Sequence, residues 1–163
     1  MSLDIRLYNT ATKSIEDFEP IKKGEVSIYS CGPTVYNYAQ IGNLSAYVFV
    51  DTFRSVFVSS HYIVKHFINI SDVGHNTDDG DNGEDKMEKG SRREGKSAWD
   101  IAKMYTDAYF KDLEALNIPF KDYTFPRATD HIPEQIALIR QLEEKGYTYQ
   151  TTDGIYFDTS KFK

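Results

Sequence analysis

The sequence predicts an α/β fold built on a parallel sheet, and three observations carry that prediction. Val26 to Ser30 is β-branched and aromatic, as a buried strand is. Leu44 to Val58 is an apolar run of helical length, and His61 to Ser71 is a second strand-like run, Tyr-Ile-Val-Lys-His-Phe-Ile-Asn-Ile-Ser in its body. Strand, helix and strand at this spacing make a βαβ unit, hence parallel strands and a right-handed crossover. Ligands of such sheets bind beyond the carboxyl ends of the strands, where Cys31 and Ser71 both fall.

Taken in order, Ile5 to Thr10 is expected as a short edge strand, and Asp17 to Gly24 as a turn region punctuated by Pro20 and Gly24. Cys31-Gly32-Pro33 ends the first core strand and opens an aromatic loop. Asn43 is the expected N-cap of the helix, and Gly42 allows close backbone approach to a ligand. A helix entered this way from a loop presents unpaired N–H groups to an anion such as a phosphate. The helix alternates apolar and polar residues poorly, which predicts cover on most sides.

Asp72 to Gly95 is strongly polar and reads as a loop. Ser97 with Asp100 makes a capping-box-like start for a helix reaching about Asn117, with Ile101, Met104, Tyr105, Ala108, Leu113 and Leu116 on its apolar face. Thr124 to Asp130 reads as extended. Pro133 at a first helical position and Gly146 as a stop bound a third helix to Lys145, with Ile136, Ile139 and Leu142 inward. Tyr147 to Gln150 and Ile155 to Asp158 make a hairpin around Asp153-Gly154.

The bulk numbers narrow the class. The 163 residues are 40% hydrophobic and 14% aromatic, enough for a sizeable core. The net charge of −6 argues against a large nucleic-acid footprint. One cysteine excludes an internal disulfide and fits a reducing compartment. The start Met-Ser-Leu-Asp-Ile-Arg has no signal-peptide core, and no apolar run reaches membrane-spanning length. The expectation is a cytoplasmic protein without membrane association.

Cys31-Gly32-Pro33-Thr34-Val35-Tyr36 followed by Ile41-Gly42-Asn43 resembles the first nucleotide-binding signature of cysteinyl-tRNA synthetases, which are class I aminoacyl-tRNA ligases. The likeness extends through Leu7 to Thr10, Glu16 to Ile21, Asn69 to His75, Gly83 to Gly90, Arg93 to Lys96, Pro126 to Thr129 and Gly154 to Thr159. It implies the first half of a Rossmann-like (class I synthetase, HUP-type) nucleotide-binding fold over residues 1–120. Residues 121–163 would begin an inserted acceptor-binding region. The implied reaction joins cysteine to tRNA-Cys through cysteinyl-adenylate, with ATP and Mg²⁺. On this reading the chain is the N-terminal part of the enzyme, inactive alone, with an exposed sheet edge that favours association.

The resemblance also implies roles for individual residues. Gln40 and Asn43 would contact ATP and stabilise charge developing at the α-phosphate. Thr34, Tyr36 and Gly42 would border the adenylate. Cys31, Gly32 and Ser71 would form the cysteine pocket, with Cys31 a zinc thiolate whose partner ligands lie beyond Lys163. A thiolate-rich zinc site with an open position would select a thiol over a hydroxyl. Read without the family, Cys31 is a buried apolar cysteine at a strand end, and Ser71 a strand-end cap.

Several positions depart from the family pattern. Gln40 stands where the signature has His, and a glutamine cannot become a cation. Single-donor losses put the cost at about a hundredfold in rate. Ser45 and Ala46 replace the usual Arg and Thr. A non-catalytic paralogue binding nucleotide or protein therefore stands beside the ligase reading, as does a related ligase joining cysteine to a small amine.

Other motifs carry less. Lys86-Met87-Glu88-Lys89 resembles the second class I signature, but Glu88 would repel phosphate, and a solvated charge run fits better. Asp78 to Gly83 fails as a calcium loop, because Gly80 falls on a ligand position. His61, His66, His75 and His131 lack ligand spacing, with His75 a weak cleft candidate. Arg92, Arg93 and Lys96 are read as solvated surface rather than a contact with the tRNA acceptor end.

Overall fold

The computed structural model describes residues 4–74, 85–152 and 154–162. The chain forms two compact units that divide between Arg127 and Ala128.

The first unit opens with two strands, β1 (Arg6–Asn9) and β2 (Ser14–Asp17), paired antiparallel. The sequence reading located β1 but missed β2, because Ser-Ile-Glu-Asp carries only one apolar residue. The core sheet contains β3 (Glu25–Ser30), β4 (Ile63–Ile68) and β5 (Tyr123–Thr124), in the order β3-β4-β5 and all parallel. Val26 pairs with Val64 and Ser30 with Ile68. Between β3 and β4 runs α1 (Ile41–Ser59), so the expected βαβ unit is present. The sheet continues the chain as far as β5, which Tyr123 anchors in the core.

The second layer is helical. After β4 come α2 (Lys86–Glu94) and α3 (Ala98–Ala115). Ser97 caps α3 as expected, its hydroxyl accepting from the Asp100 amide at 3.1 Å. Ile101, Ala102, Tyr105, Tyr109 and Leu113 of α3 are buried against Val35, Tyr47, Ile68 and Ile70. Leu116, expected on this face, is exposed because α3 ends at Ala115.

Residues 86–94 are helical, not loop. Asp85 caps the start, accepting from the Met87 amide at 2.8 Å and the Glu88 amide at 3.0 Å, and Gly95 ends it in the left-handed region. The polar composition hid the helix, since only Met87 and Gly90 are buried. The Asp78 to Gly83 motif and His75 lie outside the described residues.

α1 also departs from expectation. It buries only Tyr47 and Phe57, and Phe49 is 71% exposed. Its end is built locally: His61 takes φ 65°, the His61 amide donates to Val58, and the Tyr62 amide donates to Phe57. The Phe57 and Tyr62 rings meet edge-on at 5.9 Å. The same terminus recurs after α3, with Asn117 left-handed and Ile118 donating back to Leu113.

His66 of β4 is a structural residue. It is buried, its Nε2 lies 2.8 Å from the Ser30 hydroxyl, and its ring packs on Tyr123 at 4.5 Å. Burial, then the Arg54 charge, hold its pKa below the ordinary value, against an opposing pull from Asp51. The unfolded chain therefore takes up a proton at this residue before the folded one does. Stability should be full above about pH 6.5 and fall as the pH drops below it. Urea midpoints measured from pH 7.5 to 5 should show that slope, and His66→Asn should flatten it.

The second unit has a 3₁₀ turn at Ala128–His131, α4 (Ile132–Glu144), and the antiparallel hairpin β6 (Thr148–Gln150) with β7 (Ile155–Phe157). The hairpin agrees with the sequence reading, and Asp153 of its turn lies outside the described residues. Residues 128–131 turn rather than extend. Pro133 stands second in α4, not first, because the helix begins at Ile132. No α4 residue is buried, and the Ile136 and Ile139 side chains expected inward are exposed. None of the helices among the described residues is long and apolar enough to cross a membrane.

Candidate functional site

The site begins where β3 and β4 end. The Gly32 amide donates to Asn69 Oδ1 at 2.9 Å, and the Tyr29 hydroxyl donates to the same oxygen at 3.0 Å. With its oxygen engaged, Asn69 turns its Nδ2 to the Ser71 hydroxyl at 3.1 Å. The Val35 amide donates to the Ser71 carbonyl at 3.1 Å, and the Ser71 amide to the Pro33 carbonyl at 3.0 Å. The two strand exits are thus joined, and Val35 is sealed at 1% exposure. Gly32 has no room for a side chain: a Cβ there would sit 1.5 Å from the Asn69 carbonyl oxygen.

From Thr34 the chain loops to α1. The N-cap is Gln40 rather than Asn43, because the helix starts one turn earlier than its apolar run. Asn43, inside the first turn, reaches back to accept from the Gln40 amide at 3.1 Å. No acidic residue occupies this first turn, so the positive end of the helix dipole is not offset there.

A cavity of about 310 Å³ lies inside this loop. Gly32, Thr34, Tyr36, Gln40 and Asn43 line it, with Tyr47, Tyr105 and Tyr109 behind them and Lys86 at its side. Five of the eight candidate residues are therefore together. Cys31, Gly42 and Ser71 are not on its wall. Cys31 is exposed with a free thiol, which overturns the reading of it as a buried apolar cysteine. Gly42 is exposed, with open space where a Cβ would be. The tyrosines keep their protons: burial pushes Tyr47 up to about 12 and raises Tyr109 as well.

α2 holds the loop from outside. Arg93 Nη2 donates to the Tyr36 carbonyl at 2.7 Å and to the Tyr105 hydroxyl at 2.8 Å, and its Nε donates to Glu94 at 2.9 Å. Gly90 brings α2 close, since a Cβ there would meet the Tyr36 carbonyl at 3.2 Å. Arg93 is thus an exposed residue, as expected, that also clamps the loop from its surface. Lys96 is exposed, as expected, and reaches Met104 Sδ at 3.3 Å. The signal for this clamp was present in Asp85 and Gly95, whose spacing brackets a helix.

Cys31 is the one zinc ligand that the expectation places among the described residues. Among them no group of three or more His, Cys, Asp or Glu could hold an ion. Cys31 offers one exposed thiol at the strand exit, and His131 lies 3.9 Å from Glu134.

The family described as tRNA synthetases class I (C) catalytic domain matches residues 17–163. The chain belongs to this family. Among the similar curated proteins are Cysteine--tRNA ligase 1 of Burkholderia lata, 54% identical over 98% of this chain and 34% of that protein, and the Cysteine--tRNA ligase of Zymomonas mobilis, 49% identical over 99% and 31%. The Cysteine--tRNA ligase of Treponema denticola is 46% identical over 98% of this chain and 32% of its own length. The chain spans about a third of the length of these synthetases. The Rossmann-like half-fold expected for a class I synthetase accords with the parallel β3-β4-β5 sheet.

Proposed function

We propose that this chain forms part of the adenylation site of a cysteine–tRNA ligase acting in the cytoplasm. The observation that carries the reading is the cavity enclosed by Gly32 to Asn43 at the start of α1. It is polar, and it lies at the carboxyl end of the sheet, where α/β folds take nucleotides.

In the proposed reaction a cysteine carboxylate oxygen attacks the α-phosphorus of ATP. The bond to the bridging oxygen of pyrophosphate breaks, and cysteinyl-adenylate forms. The 3′-terminal adenosine of tRNA-Cys then takes the cysteinyl group and AMP leaves. Gln40 donates through its side-chain amide to the phosphate oxygens, and Asn43 holds the loop against the helix start. Thr34 and Tyr36 border the adenylate, and Gly42, off the cavity wall, leaves open space at the start of α1. Mg²⁺ accompanies ATP. Both steps rest on positioning and on charge stabilisation. Ser71 and Gly32 border the cysteine. Asn69 donates to the Ser71 oxygen, which leaves the Ser71 proton for an acceptor.

Zinc would find one ligand here, the Cys31 thiolate, and the described residues do not complete its shell. We assign the first half of the nucleotide-binding domain, expected over residues 1–120, to the unit that carries β3, β4 and β5 and ends at Arg127, and the start of an acceptor-binding insertion to the unit from Ala128 on.

The test is a chimaera in which this chain replaces the matching segment of the Burkholderia lata protein. Cysteine-dependent ATP–pyrophosphate exchange is expected from the chimaera, at background level from the 163 residues alone, and at background level from the Cys31→Ser chimaera. A folded chimaera without exchange would favour the non-catalytic reading, for which Gln40 is the supporting observation. Exchange by the isolated chain at the rate of a complete ligase would overturn the proposal.

A further inference from the structure

We propose that Lys86 is a phosphate-binding residue for the nucleotide, supplying the positive charge that Gln40 cannot. This rests on the reading of the cavity as a nucleotide site. Of the residues lining that cavity, only Lys86 carries a formal charge. A nucleoside triphosphate brings several negative charges, and an uncompensated polyanion would not reside against tyrosines and amides alone.

Lys86 is placed there by more than chance exposure. It is the first residue of α2, and the bonds from Asp85 to the Met87 and Glu88 amides fix that turn. Met87 beside it is buried in the core at 3% exposure. The Lys86 ammonium lies 5.8 Å from the centre of the Tyr36 ring, at the wall of the cavity. Among the described residues no carboxylate forms an ion pair with it. Lys89, one turn on, is exposed and does not line the cavity. The two lysines of this tetrapeptide therefore divide, one toward the site and one toward solvent. Glu88, whose charge argued against a phosphate role for the whole motif, is exposed and absent from the lining.

The test is titration calorimetry of the 163-residue chain with ATP, with inorganic tripolyphosphate and with adenosine. Lys86→Met should weaken ATP and tripolyphosphate about tenfold, the scale of one charge-assisted contact. Lys86→Arg should stay within about threefold of the original, and Lys89→Met should be unchanged. Adenosine affinity should be the same in all four proteins, and higher salt should narrow the gap between the original and Lys86→Met. Equal ATP affinity in Lys86→Met overturns the assignment. So does a parallel loss for adenosine, which would mean a disturbed cavity rather than a lost charge. Absence of ATP binding by the original chain overturns the nucleotide reading itself, and this assignment with it.

Discussion

Gly32→Ala is expected to destabilise the protein by about 3 kcal/mol or more, or to prevent folding. The added Cβ would lie 1.5 Å from the Asn69 carbonyl oxygen and 2.7 Å from its carbon. Backbone cannot yield there without cost, because both segments are committed. Ile68, just before Asn69, ends β4, and the Ser71 amide is bonded to Pro33. Relief would require breaking the Gly32 amide bond to Asn69 Oδ1 and the Val35 amide bond to Ser71. Guanidinium unfolding should show the lower midpoint. Amide spectra of any folded fraction should place the largest shifts at residues 29–36 and 68–72. A midpoint within experimental error of the original would contradict the geometry.

Tyr109→Ala is expected to cost about 3–5 kcal/mol, the usual range for deleting a fully buried aromatic ring. Tyr109 is 2% exposed and meets Tyr47 edge-on at 5.1 Å, with Phe110 and Phe125 further out. It also stands behind the candidate cavity, so its removal would enlarge that cavity and loosen α3 against α1. Tyr109→Phe keeps the ring and removes only a hydroxyl, and should stay within about 1 kcal/mol of the original. The pair separates packing from polarity. Thermal melts of the two variants should differ by many degrees, and similar melts would mean that the ring contributes little.

The parts of the fold that periodicity controls were legible. Val26 to Ser30 and His61 to Ser71 announced parallel strands because β-branched and aromatic residues cluster there, and Ser97 announced α3 by its capping pattern. Where burial is sparse the reading failed. α2 buries only Met87 and Gly90, so its charged surface read as loop although its caps were in plain view. α1 failed in the opposite sense: apolar residues such as Phe49 suggested cover that the described residues do not provide. The loop Gly32 to Asn43 could be singled out as a candidate site from its glycines and its place after a strand, and a cavity lies there. Which residues line its cavity could not be read, because Lys86, Tyr105 and Tyr109 reach it through tertiary packing. Cys31 shows the same limit. Its position at a strand exit was readable, its accessibility was not.

The Arg93 guanidinium bridges 57 positions of sequence to grip one carbonyl of the ligand loop. That loop has no ladder of its own between Val35 and the start of α1, so its shape is borrowed from a helix that follows β4 in the chain. Alterations at Arg93 and the exposed positions of α2, the buried Met87 and Gly90 apart, would thus register first as changed ligand affinity, with the melting curve scarcely moved. A mutational scan scored only on stability would overlook them.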